Sequence, residues 1–318
     1  MKIRLGYVAI ALKLEGVTTS SPVTYKKYSS IESEKEKLSL LKRVAQSNLE
    51  DLIKVLNYNI ENDIHFYRMT SKLIPLATHK EVLWDYAPHI KKQCAVIGEL
   101  IAKHEMRVDT HPDQFNVLNS VNDHVIEATK DTLQHHLDIF GLFNILDGKM
   151  VLHVGGKAGG KEQALDRFKE QFKKLPTPMQ KSLIIENDDK VFSARDVLTL
   201  CQSLSIPMVL DVHHHKCYNE GESLHEMLSD IFQTWSGQPY PPKIHFSSPK
   251  ESEFDRRHAD YLVVDEFINF VEMAKELDQD FDVMIEAKQK DLAIYRLVHE
   301  IKEKRPDWKW DDFTTLNL

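Results

Sequence analysis

Short apolar runs alternate along the chain with longer segments in which apolar residues recur at helical spacing. Lys35–Asn59 shows the helical pattern most clearly, because its apolar residues recur close to every 3.6 positions. Similar spacing predicts helices at Asp123–Phe143, Ala164–Phe172, Ser193–Leu204, Ser223–Phe232 and Glu266–Leu277. The short runs predict eight strands: Ile3–Ile10, Ile64–Met69, Met106–Thr110, Met150–Val154, Ser182–Glu186, Pro207–Val212, Lys243–Phe246 and Asp282–Glu286.

This strand–helix alternation predicts a single-domain α/β protein with the (β/α)8 TIM-barrel fold, and a doubly wound sheet is the alternative. The 318 residues suit one such domain, because barrels of this class take about 250 residues plus insertions. We assign residues 1–302 to the barrel and residues 303–318 to a C-terminal tail. The tail is expected to pack over the barrel or its rim, since it carries several aromatic residues.

The composition limits which cellular compartment and which class of binding partner we expect for this chain. No apolar run approaches the roughly 20 residues needed to cross a bilayer, and the N-terminus lacks the apolar core of a signal peptide. No association with a membrane is therefore expected, and the three scattered cysteines fit a reducing cytoplasm better than a disulfide scaffold. A net charge of −8 argues against a broadly basic nucleic-acid binder. It does not exclude nucleic acid, because bound metal ions would supply local positive charge.

The predicted strands share one chemical feature, a metal-type side chain at the end of the apolar run. Six strands end in this way, at His111, His153, Glu186, Asp211, His245 and Glu286. A TIM barrel gathers its strand ends on one face, so these side chains are expected to converge. Imidazoles and carboxylates together suit Zn²⁺ or Mn²⁺ better than Ca²⁺, which prefers oxygen ligands. The sequence therefore predicts a transition-metal site at the mouth of the barrel.

Two strand ends leave alternatives open. Asp211 is followed by three histidines, and the spacing alone does not decide whether His213, His214 or His215 binds a metal. Lys243 lies two residues before His245 and so shares its face of the strand. It is either a cation that binds phosphate, a carbamylated and therefore anionic ligand, or a partner of Glu186 or Glu286 in a salt bridge.

Two loops after strands also carry candidate chemistry. The loop after His153 resembles a phosphate-binding Walker A loop up to Lys161, but Glu162 replaces the required serine or threonine, so no nucleotide cofactor is expected. Its glycines would let backbone N–H groups approach a phosphodiester, and an ordinary flexible loop is equally compatible. Gln114 and Phe115 follow His111 and either pack locally or wedge into a duplex.

His135 and His136 are among the helical histidines expected to be solvated.

With these residues assembled, the chain resembles the UV damage endonuclease family, whose barrel enzymes are related to endonuclease IV. The resemblance runs from Leu5-Gly-Tyr7 to Glu286-Ala-Lys and covers most of the chain. Its ordered motifs are Ala77-Thr-His79, His111-Pro-x-Gln114, Leu152-His153-x-Gly-Gly, Glu186-Asn-Asp, Asp211-x-x-His214, Lys243-x-His245, Arg257-His258-Ala and Glu286-Ala-Lys.

The resemblance implies a role for each matched residue. Glu186 would bridge two metal ions and act in catalysis. One ion would take His111 and His153, and the other would take Asp211, His245 and Glu286. A third would take His214 and His258, together with a carboxylated Lys243. His79 would lie nearby as a ligand or catalytic group, Tyr7 and Arg68 would contact the DNA, and Gln114 and Phe115 would probe the lesion. Phe115 departs from the tyrosine expected there, so stacking is kept and a hydroxyl is lost.

The activity implied by the resemblance is hydrolysis of a phosphodiester in damaged double-stranded DNA. The family incises immediately 5′ of cyclobutane pyrimidine dimers or (6-4) photoproducts and leaves 3′-hydroxyl and 5′-phosphate ends. Up to three divalent ions are implied, with Mn²⁺ expected and Zn²⁺ as the alternative, in a monomer. Two other functions remain open. A sugar isomerase or epimerase of the same barrel class would use a similar metal cluster, and a non-catalytic damage-recognition module would have lost ligands.

Overall fold

A computed structural model describes residues 1–318, and its centre is a closed barrel of eight parallel strands. The strands are β1 (Lys2–Val8), β2 (Phe66–Met69), β3 (Arg107–Thr110), β4 (Met150–His153), β5 (Leu183–Glu186), β6 (Met208–Asp211), β7 (Lys243–Phe246) and β8 (Phe281–Ile285). Each pairs with its sequence neighbours, and β8 pairs with β1 to complete the ring. This closure confirms the predicted (β/α)8 barrel and rules out the doubly wound sheet.

Helices surround the barrel and cover it with their apolar faces. They are α1 (Tyr25–Ser29), α2 (Glu34–Glu61), α3 (Ala87–Lys103), α4 (Asp123–Leu142), α5 (Lys161–Lys173), α6 (Thr177–Ser182), α7 (Ala194–Leu204), α8 (Val212–Cys217), α9 (Leu224–Gln233), α10 (Val264–Lys275) and α11 (Lys290–Lys304). The helices α3 and α11 and the short helices α1, α6 and α8 are not among those predicted from the sequence. The signal for α3 was present, since its buried residues Ile90, Cys94, Ile97 and Ile101 recur at helical spacing.

The first predicted strand is too long at its carboxyl end. β1 stops at Val8, whereas the sequence pattern extends it to Ile10. Ala9 adopts a left-handed conformation with φ of 63°, which an extended strand cannot contain. The chain therefore turns away from the barrel two residues before the apolar run ends.

Charged groups fill the barrel interior at the amino-terminal ends of the strands. The Asp282 carboxylate accepts hydrogen bonds from Arg4 at 2.6 and 2.7 Å and from Arg107 at 2.6 Å. The Arg107 guanidinium is wholly buried and also lies over the rings of Phe66 and Trp235. Pairing and ring contacts compensate for burying the charge. This network holds together three strands, β1, β3 and β8, that are far apart in sequence.

The C-terminal tail adds two short strands to the same end of the barrel. β10 (Thr315–Asn317) pairs antiparallel with the first half of β1, and β9 (Lys309–Trp310) pairs with β10. The segment between them is joined to the start of β2, because His65 lies 3.0 Å from the Asp312 carboxylate. The tail thereby continues the sheet where β2 is too short to cover β1.

Two helical histidines are buried, contrary to the expectation that they are solvated. His135 and His136 lie on the inner face of α4, where Tyr86 contacts the His135 ring through a 2.8 Å hydrogen bond. Burial lowers the pKa of His135 to about 4 and that of His136 to about 3. The apolar spacing of α4 did not reveal this, because histidine occurs on both buried and solvated helix faces.

We expect the buried histidines to make the fold sensitive to mild acid. Their pKa values lie below the ordinary value of about 6.5, so the unfolded chain binds protons first as the pH falls. Their contribution to stability is complete above about pH 6.5 and declines as the pH falls towards 4. In urea denaturation, His136→Gln should lose less stability between pH 7.5 and pH 5 than the wild type. The exposed His299→Gln should lose as much as the wild type, and equal losses in all three proteins would contradict the expectation.

None of the helices combines the length and the apolar character needed to cross a bilayer.

Candidate metal centre

The ends of six neighbouring strands place imidazoles and carboxylates at one mouth of the barrel. His153 of β4 is paired in register with Glu186 of β5, and Asp211 of β6 is paired with His245 of β7. His111 directly follows β3, and Glu286 directly follows β8. Because the strands are parallel, their carboxyl ends reach the same level of the barrel. The predicted convergence of these side chains is therefore what the structure shows.

Glu186 is the centre of this cluster. Its carboxylate is buried and lies 2.8 Å from His245 Nδ1 and 3.0 Å from His111 Nε2. His153 Nε2 lies 3.5 Å away. Burial alone would raise the pKa of Glu186, but the adjacent imidazoles of His245, His153 and His111 outweigh it and hold the pKa well below its usual value. Glu186 is therefore an anion at neutral pH, available as a ligand on both oxygens.

Three groups of potential ligands share Glu186. Within each group the ligand atoms lie close enough together to hold one ion. The groups are His111–His153–Glu186, Glu186–Asp211–His214 and Glu186–His245–Glu286. The first matches the set implied by the family resemblance. The other two differ from it, because Asp211 lies with His214 rather than with His245 and Glu286. Asp211 caps α8, which carries His214, by accepting a 2.7 Å hydrogen bond from the His214 backbone N–H.

The donor set fits divalent metal ions. Three polar atoms of the cluster are buried and have no hydrogen-bond partner, namely His153 Nδ1, Asp211 Oδ2 and His245 Nε2. Buried polar atoms are almost always paired, so three in one cluster indicate that a ligand completes it. Burial, together with the nearby carboxylates of Glu186 and Glu286, raises the pKa of Asp211 to about 8 although the His214 imidazole opposes the shift. Imidazole and carboxylate donors are those of zinc and manganese sites.

The structure distinguishes among the three consecutive histidines. His214 alone faces the cluster, with its Nδ1 3.6 Å from Glu186 and 3.7 Å from Asp211. His213 is buried with its ring 5.6 Å from that of His258, and His215 is buried elsewhere along α8. His258 lies at the edge of the site, where its Nδ1–H donates to the Glu286 carbonyl oxygen at 2.7 Å. Its ring is 6.3 Å from that of His214, so the two are neighbours as the family resemblance implies.

Lys243 lies one inward-facing position below His245 and pairs with an unexpected residue. Its amine is fully buried and lies 2.6 Å from the Asp109 carboxylate of β3. Burial lowers the pKa of this amine to about 8 even though Asp109 opposes the shift. A salt bridge to Glu186 or Glu286 was one of the three alternatives for Lys243, and the structure forms the ion pair with Asp109 instead. Asp109 occupies the position two residues before His111, which places it at the same level of the barrel interior as Lys243.

Two of the predicted DNA contacts are placed differently by β1 and β2. Arg68 points into the barrel mouth and forms an ion pair with Glu286, beside the candidate ligands. Tyr7 is fully buried on the opposite face of β1, where its hydroxyl donates to Asn59 of α2 at 2.7 Å. The contact between Tyr7 and DNA stays a prediction, and the buried position of this side chain does not support it. Successive residues of a strand alternate faces, and Tyr7 belongs to the face that packs against the helices.

His79 is not part of the cluster. Its ring stacks on Tyr25 with a centroid distance of 4.2 Å, and its Nδ1 accepts from the Glu81 backbone N–H at 3.3 Å. It makes no hydrogen bond or ring contact with the candidate ligands. The loop between β2 and α3 turns this ring towards α1, and the role of His79 as a ligand or catalytic group stays a prediction.

Gln114 and Phe115 project from the loop that follows His111. Both side chains are exposed, and Phe115 is 78% accessible to solvent. Local packing, one of the two interpretations drawn from the sequence, would have buried the ring. The exposed position leaves the ring free to contact a partner at the barrel mouth.

In the loop after β4, which resembles a Walker A loop in sequence, local contacts explain the presence of Gly155 and Lys161. Gly155 has φ of 113°, and a side chain there would meet Asn119 Oδ1 at 2.3 Å. Lys161 opens α5 and forms ion pairs with Asp196 at 2.8 Å and with Glu220 at 2.9 Å. These contacts join neighbouring loops at the barrel mouth.

Sequence reasoning missed Asn187 and Asp109 as residues that position the centre. The Asn187 side chain accepts from the Asp211 backbone N–H at 2.8 Å and donates to the Asp211 carbonyl oxygen at 3.0 Å. Its own carbonyl oxygen accepts from His214 Nδ1 at 2.9 Å. The position of Asn187 directly after Glu186 could have indicated a residue that orients the ligands. Asp109 lies two residues before His111, and this spacing could have indicated that its side chain faces the barrel interior.

The fold and the site together define the class of this protein as a TIM barrel with a candidate multi-metal centre at its mouth. Comparison with known proteins gives the family. The family model described as UV-endonuclease UvdE matches residues 3–307. A UV DNA damage endonuclease of Bacillus cereus (strain B4264) is 39% identical over 306 residues, covering 96% of each chain. The chain belongs to the UvdE family and is an endonuclease.

Solved structures agree with this family and with the barrel. The crystal structure of SacUVDE is 34% identical and superposes with a TM-score of 0.84, covering 95% of this chain and 99% of that one. Endonuclease IV from Thermus thermophilus covers 95% of this chain with a TM-score of 0.57 at 14% identity. The second likeness is one of fold. The family membership leaves no observation in favour of a sugar isomerase or epimerase.

Proposed function

We propose that this DNA repair endonuclease hydrolyses the phosphodiester immediately 5′ of UV photoproducts in double-stranded DNA. The products would be a 3′-hydroxyl and a 5′-phosphate, and the lesions would be cyclobutane pyrimidine dimers and (6-4) photoproducts. One observation carries the proposal: an exposed aromatic loop borders the cluster centred on Glu186 at the barrel mouth. A monomeric, cytoplasmic protein is proposed on the family resemblance.

We propose Mn²⁺ as the resident metal, with Zn²⁺ as the alternative and up to three ions in all. Their ligands would be His111, His153, Glu186, Asp211, His214, His245, His258 and Glu286. Divalent ions bound there would polarise the phosphate and lower the pKa of a bound water. The chain itself fixes the ligands: Asn187 orients Asp211 and His214, and Arg68 holds Glu286.

Lys243 has two possible states in this proposal. As the free amine, it compensates the buried charge of Asp109. As the carboxylated side chain that the family resemblance implies, it would serve a third ion together with His214 and His258. Intact mass spectrometry under non-acidic conditions distinguishes the two, because only the carboxylated form carries the mass of one added carbon dioxide.

Lesion selectivity in this proposal follows from the cost of deforming DNA. A fused dimer stacks poorly on its neighbours, so displacing it from the helix costs less than displacing intact bases. Gln114 and Phe115 are exposed beside the candidate metal centre, and they would occupy the space that a displaced dimer leaves. The amide would meet base edges, and the ring would replace lost stacking.

The proposed function is tested by nicking of a duplex that contains one defined thymine dimer. Incision immediately 5′ of the dimer in Mn²⁺, abolished by EDTA and absent from an undamaged duplex, would support the proposal. Ligation of the nicked product to a new 5′-phosphate-bearing strand would verify the 3′-hydroxyl. A folded protein that cuts no photoproduct duplex with any divalent metal would overturn it.

Phe115→Ala should raise the KM for a dimer duplex about tenfold, because base–aromatic stacking contributes roughly 1–3 kcal/mol per base. Phe115→Tyr should retain the wild-type KM, since the stacking face is kept. The rate at saturating DNA should change little in either variant. Steady-state incision measurements would check this, with melting temperatures as a control for folding. A Phe115→Ala variant with an unchanged KM would remove the ring from lesion recognition.

A further inference from the structure

A second aromatic side chain is exposed on the face of the barrel that carries the candidate metal centre. Phe254 lies in the loop between β7 and α10, residues 247–263, and 63% of its surface is accessible. Among the large apolar side chains that are exposed, Phe115 and Phe254 are the only aromatic ones. Single exposed apolar residues are common on proteins, so exposure alone does not indicate that Phe254 binds a ligand. Its position relative to the candidate metal centre is what bears on a binding role.

The loop presents Phe254 on an ordered turn. The backbone N–H of Lys250 donates to the Arg257 carbonyl oxygen at 2.9 Å, and Pro249 and His258 form an isolated antiparallel bridge. At the tip, the Asp255 N–H donates to the Ser252 carbonyl oxygen at 2.9 Å, which closes a four-residue turn. Phe254 is the third residue of that turn. The backbone hydrogen bonds of the loop therefore hold the turn in place, and the Phe254 ring is exposed on it.

The base of the loop is joined to the candidate metal centre. His258, which ends the loop's antiparallel bridge, donates to the Glu286 carbonyl oxygen at 2.7 Å. Arg256 lies 3.4 Å from Asp189, a residue of the loop that follows Glu186. The Cys217 thiol of α8 lies 3.8 Å from the Phe254 carbonyl oxygen. These three contacts fix the position of Phe254 relative to the cluster.

The topology places the two phenylalanines on opposite sides of the barrel mouth. In the closed ring, three strands separate β3 from β7 in either direction: β4, β5 and β6 on one side, and β8, β1 and β2 on the other. Phe115 follows β3, Phe254 follows β7, and the cluster centred on Glu186 lies between them. A ligand that crosses the cluster from the β3 side therefore runs towards the side of the mouth that carries the loop after β7.

The charges of the loop indicate the kind of contact. Lys250, Arg256 and Arg257 are balanced by Glu251, Glu253 and Asp255, and Arg257 is paired with two of these carboxylates. The tip is therefore nearly neutral and offers an aromatic ring rather than a surplus of positive charge. Such a tip suits stacking on a base or insertion at a base step rather than neutralisation of phosphates.

We propose that Phe254 is a second aromatic DNA contact, which stacks against a base on the side of the metal centre opposite Phe115. The duplex would then be held on both sides of the phosphate that is cut. This inference rests on the proposed function, because it takes damaged double-stranded DNA as the ligand that crosses the barrel mouth.

The test compares Phe254→Ala and Phe254→Trp with Leu146→Ala. Leu146 is the matched control, since it is 88% exposed but precedes β4 at the other end of the barrel. Affinity is measured by fluorescence anisotropy with the Mn²⁺-loaded protein. The probe is a thymine-dimer duplex whose flanking phosphates are replaced by methylphosphonates, which resist hydrolysis. KM and kcat are measured on the unmodified dimer duplex, and melting temperatures verify that each variant is folded.

Phe254→Ala should weaken binding about 5- to 100-fold, the range for loss of one base–aromatic stack. KM should rise in parallel while kcat stays near the wild-type value. The dependence of affinity on salt should not change, because no phosphate contact is lost. Phe254→Trp should bind like the wild type, and Leu146→Ala should be unaffected. Losses in a Phe115→Ala/Phe254→Ala double variant should add, since the two sites are far apart.

A Phe254→Ala variant that binds and cuts like Leu146→Ala would overturn the inference and leave the proposed function intact. A loss of affinity accompanied by a shallower salt dependence would also overturn it, because the loop would then act through phosphates. Failure of the wild type to cut any photoproduct duplex would overturn the proposed function instead. In that case the dissociation constants of Phe254→Ala and Leu146→Ala for the dimer duplex are still compared, and their ratio decides whether Phe254 contacts DNA.

Discussion

Glu186→Gln is expected to reduce the incision rate about 10³-fold or more, equivalent to about 4 kcal/mol of transition-state stabilisation. The change keeps the size of the side chain and removes its negative charge. Glu186 is common to all three groups of candidate ligands, so one substitution impairs every one of them. An uncharged amide would also leave His111 and His245 without the carboxylate that holds them at 3.0 and 2.8 Å.

The measurement combines the incision rate on a dimer duplex with the metal content of the purified protein. Glu303→Gln is the matched control, because Glu303 is an exposed carboxylate on α11 whose partner, His299, is also exposed. The variant should lose bound metal and activity together, while the control keeps both. A Glu186→Gln enzyme that retains a tenth of the wild-type rate would contradict the central position given to this residue.

Asp282→Ala is expected to lower the free energy of unfolding by about 3–5 kcal/mol, the cost of removing one partner from a buried ion pair. Asp282 is wholly buried and receives three charge-assisted hydrogen bonds from Arg4 and Arg107. Without the carboxylate, the Arg107 guanidinium would remain in the barrel interior with the carbonyl oxygen of Pro241 as its hydrogen-bond acceptor. The aromatic rings around it compensate only part of the lost attraction.

Urea denaturation followed by circular dichroism measures this effect. Asp282→Asn should lose less stability than Asp282→Ala, because an amide oxygen can still accept from one arginine. Asp265→Ala is the control, since its exposed ion pair with Lys304 should contribute at most about 1 kcal/mol. Equal unfolding midpoints for Asp282→Ala and Asp265→Ala would show that the buried network does not stabilise the barrel.

The strand ends illustrate how far a sequence can locate a site. His111, His153, Glu186, Asp211, His245 and Glu286 could be assembled without coordinates, because parallel strands of a closed barrel must end on one face. Only distances could decide among the three histidines after Asp211, since a short helix turns its side chains in different directions. His214 faces Glu186, and its neighbours do not.

Tyr7 and Lys243 show where the same reasoning fails. In β1 the polar residues Lys2 and Arg4 alternate with Ile3 and Leu5, and Tyr7 is in phase with the apolar pair. Because the strands of a parallel barrel are buried on both faces, this alternation does not reveal which of the two faces lines the barrel interior. Lys243 and Asp109 lie 134 residues apart, and they meet because β3 and β7 face each other across the barrel interior. Loop conformations are equally hidden, as the position of His79 against Tyr25 demonstrates.

The sequence by itself determined the barrel, the residues that converge at its mouth and the family to which they belong. These follow from local periodicity and from residues at fixed positions relative to strand ends, and both are written in the order of the chain. The tertiary structure alone decided the grouping of ligands around Glu186 and the opposed positions of Phe115 and Phe254. It also decided that Lys243 pairs with Asp109 and that Asp282 pairs with Arg4 and Arg107. Those relations depend on strand facing and ring closure, which bring together residues that no local pattern connects.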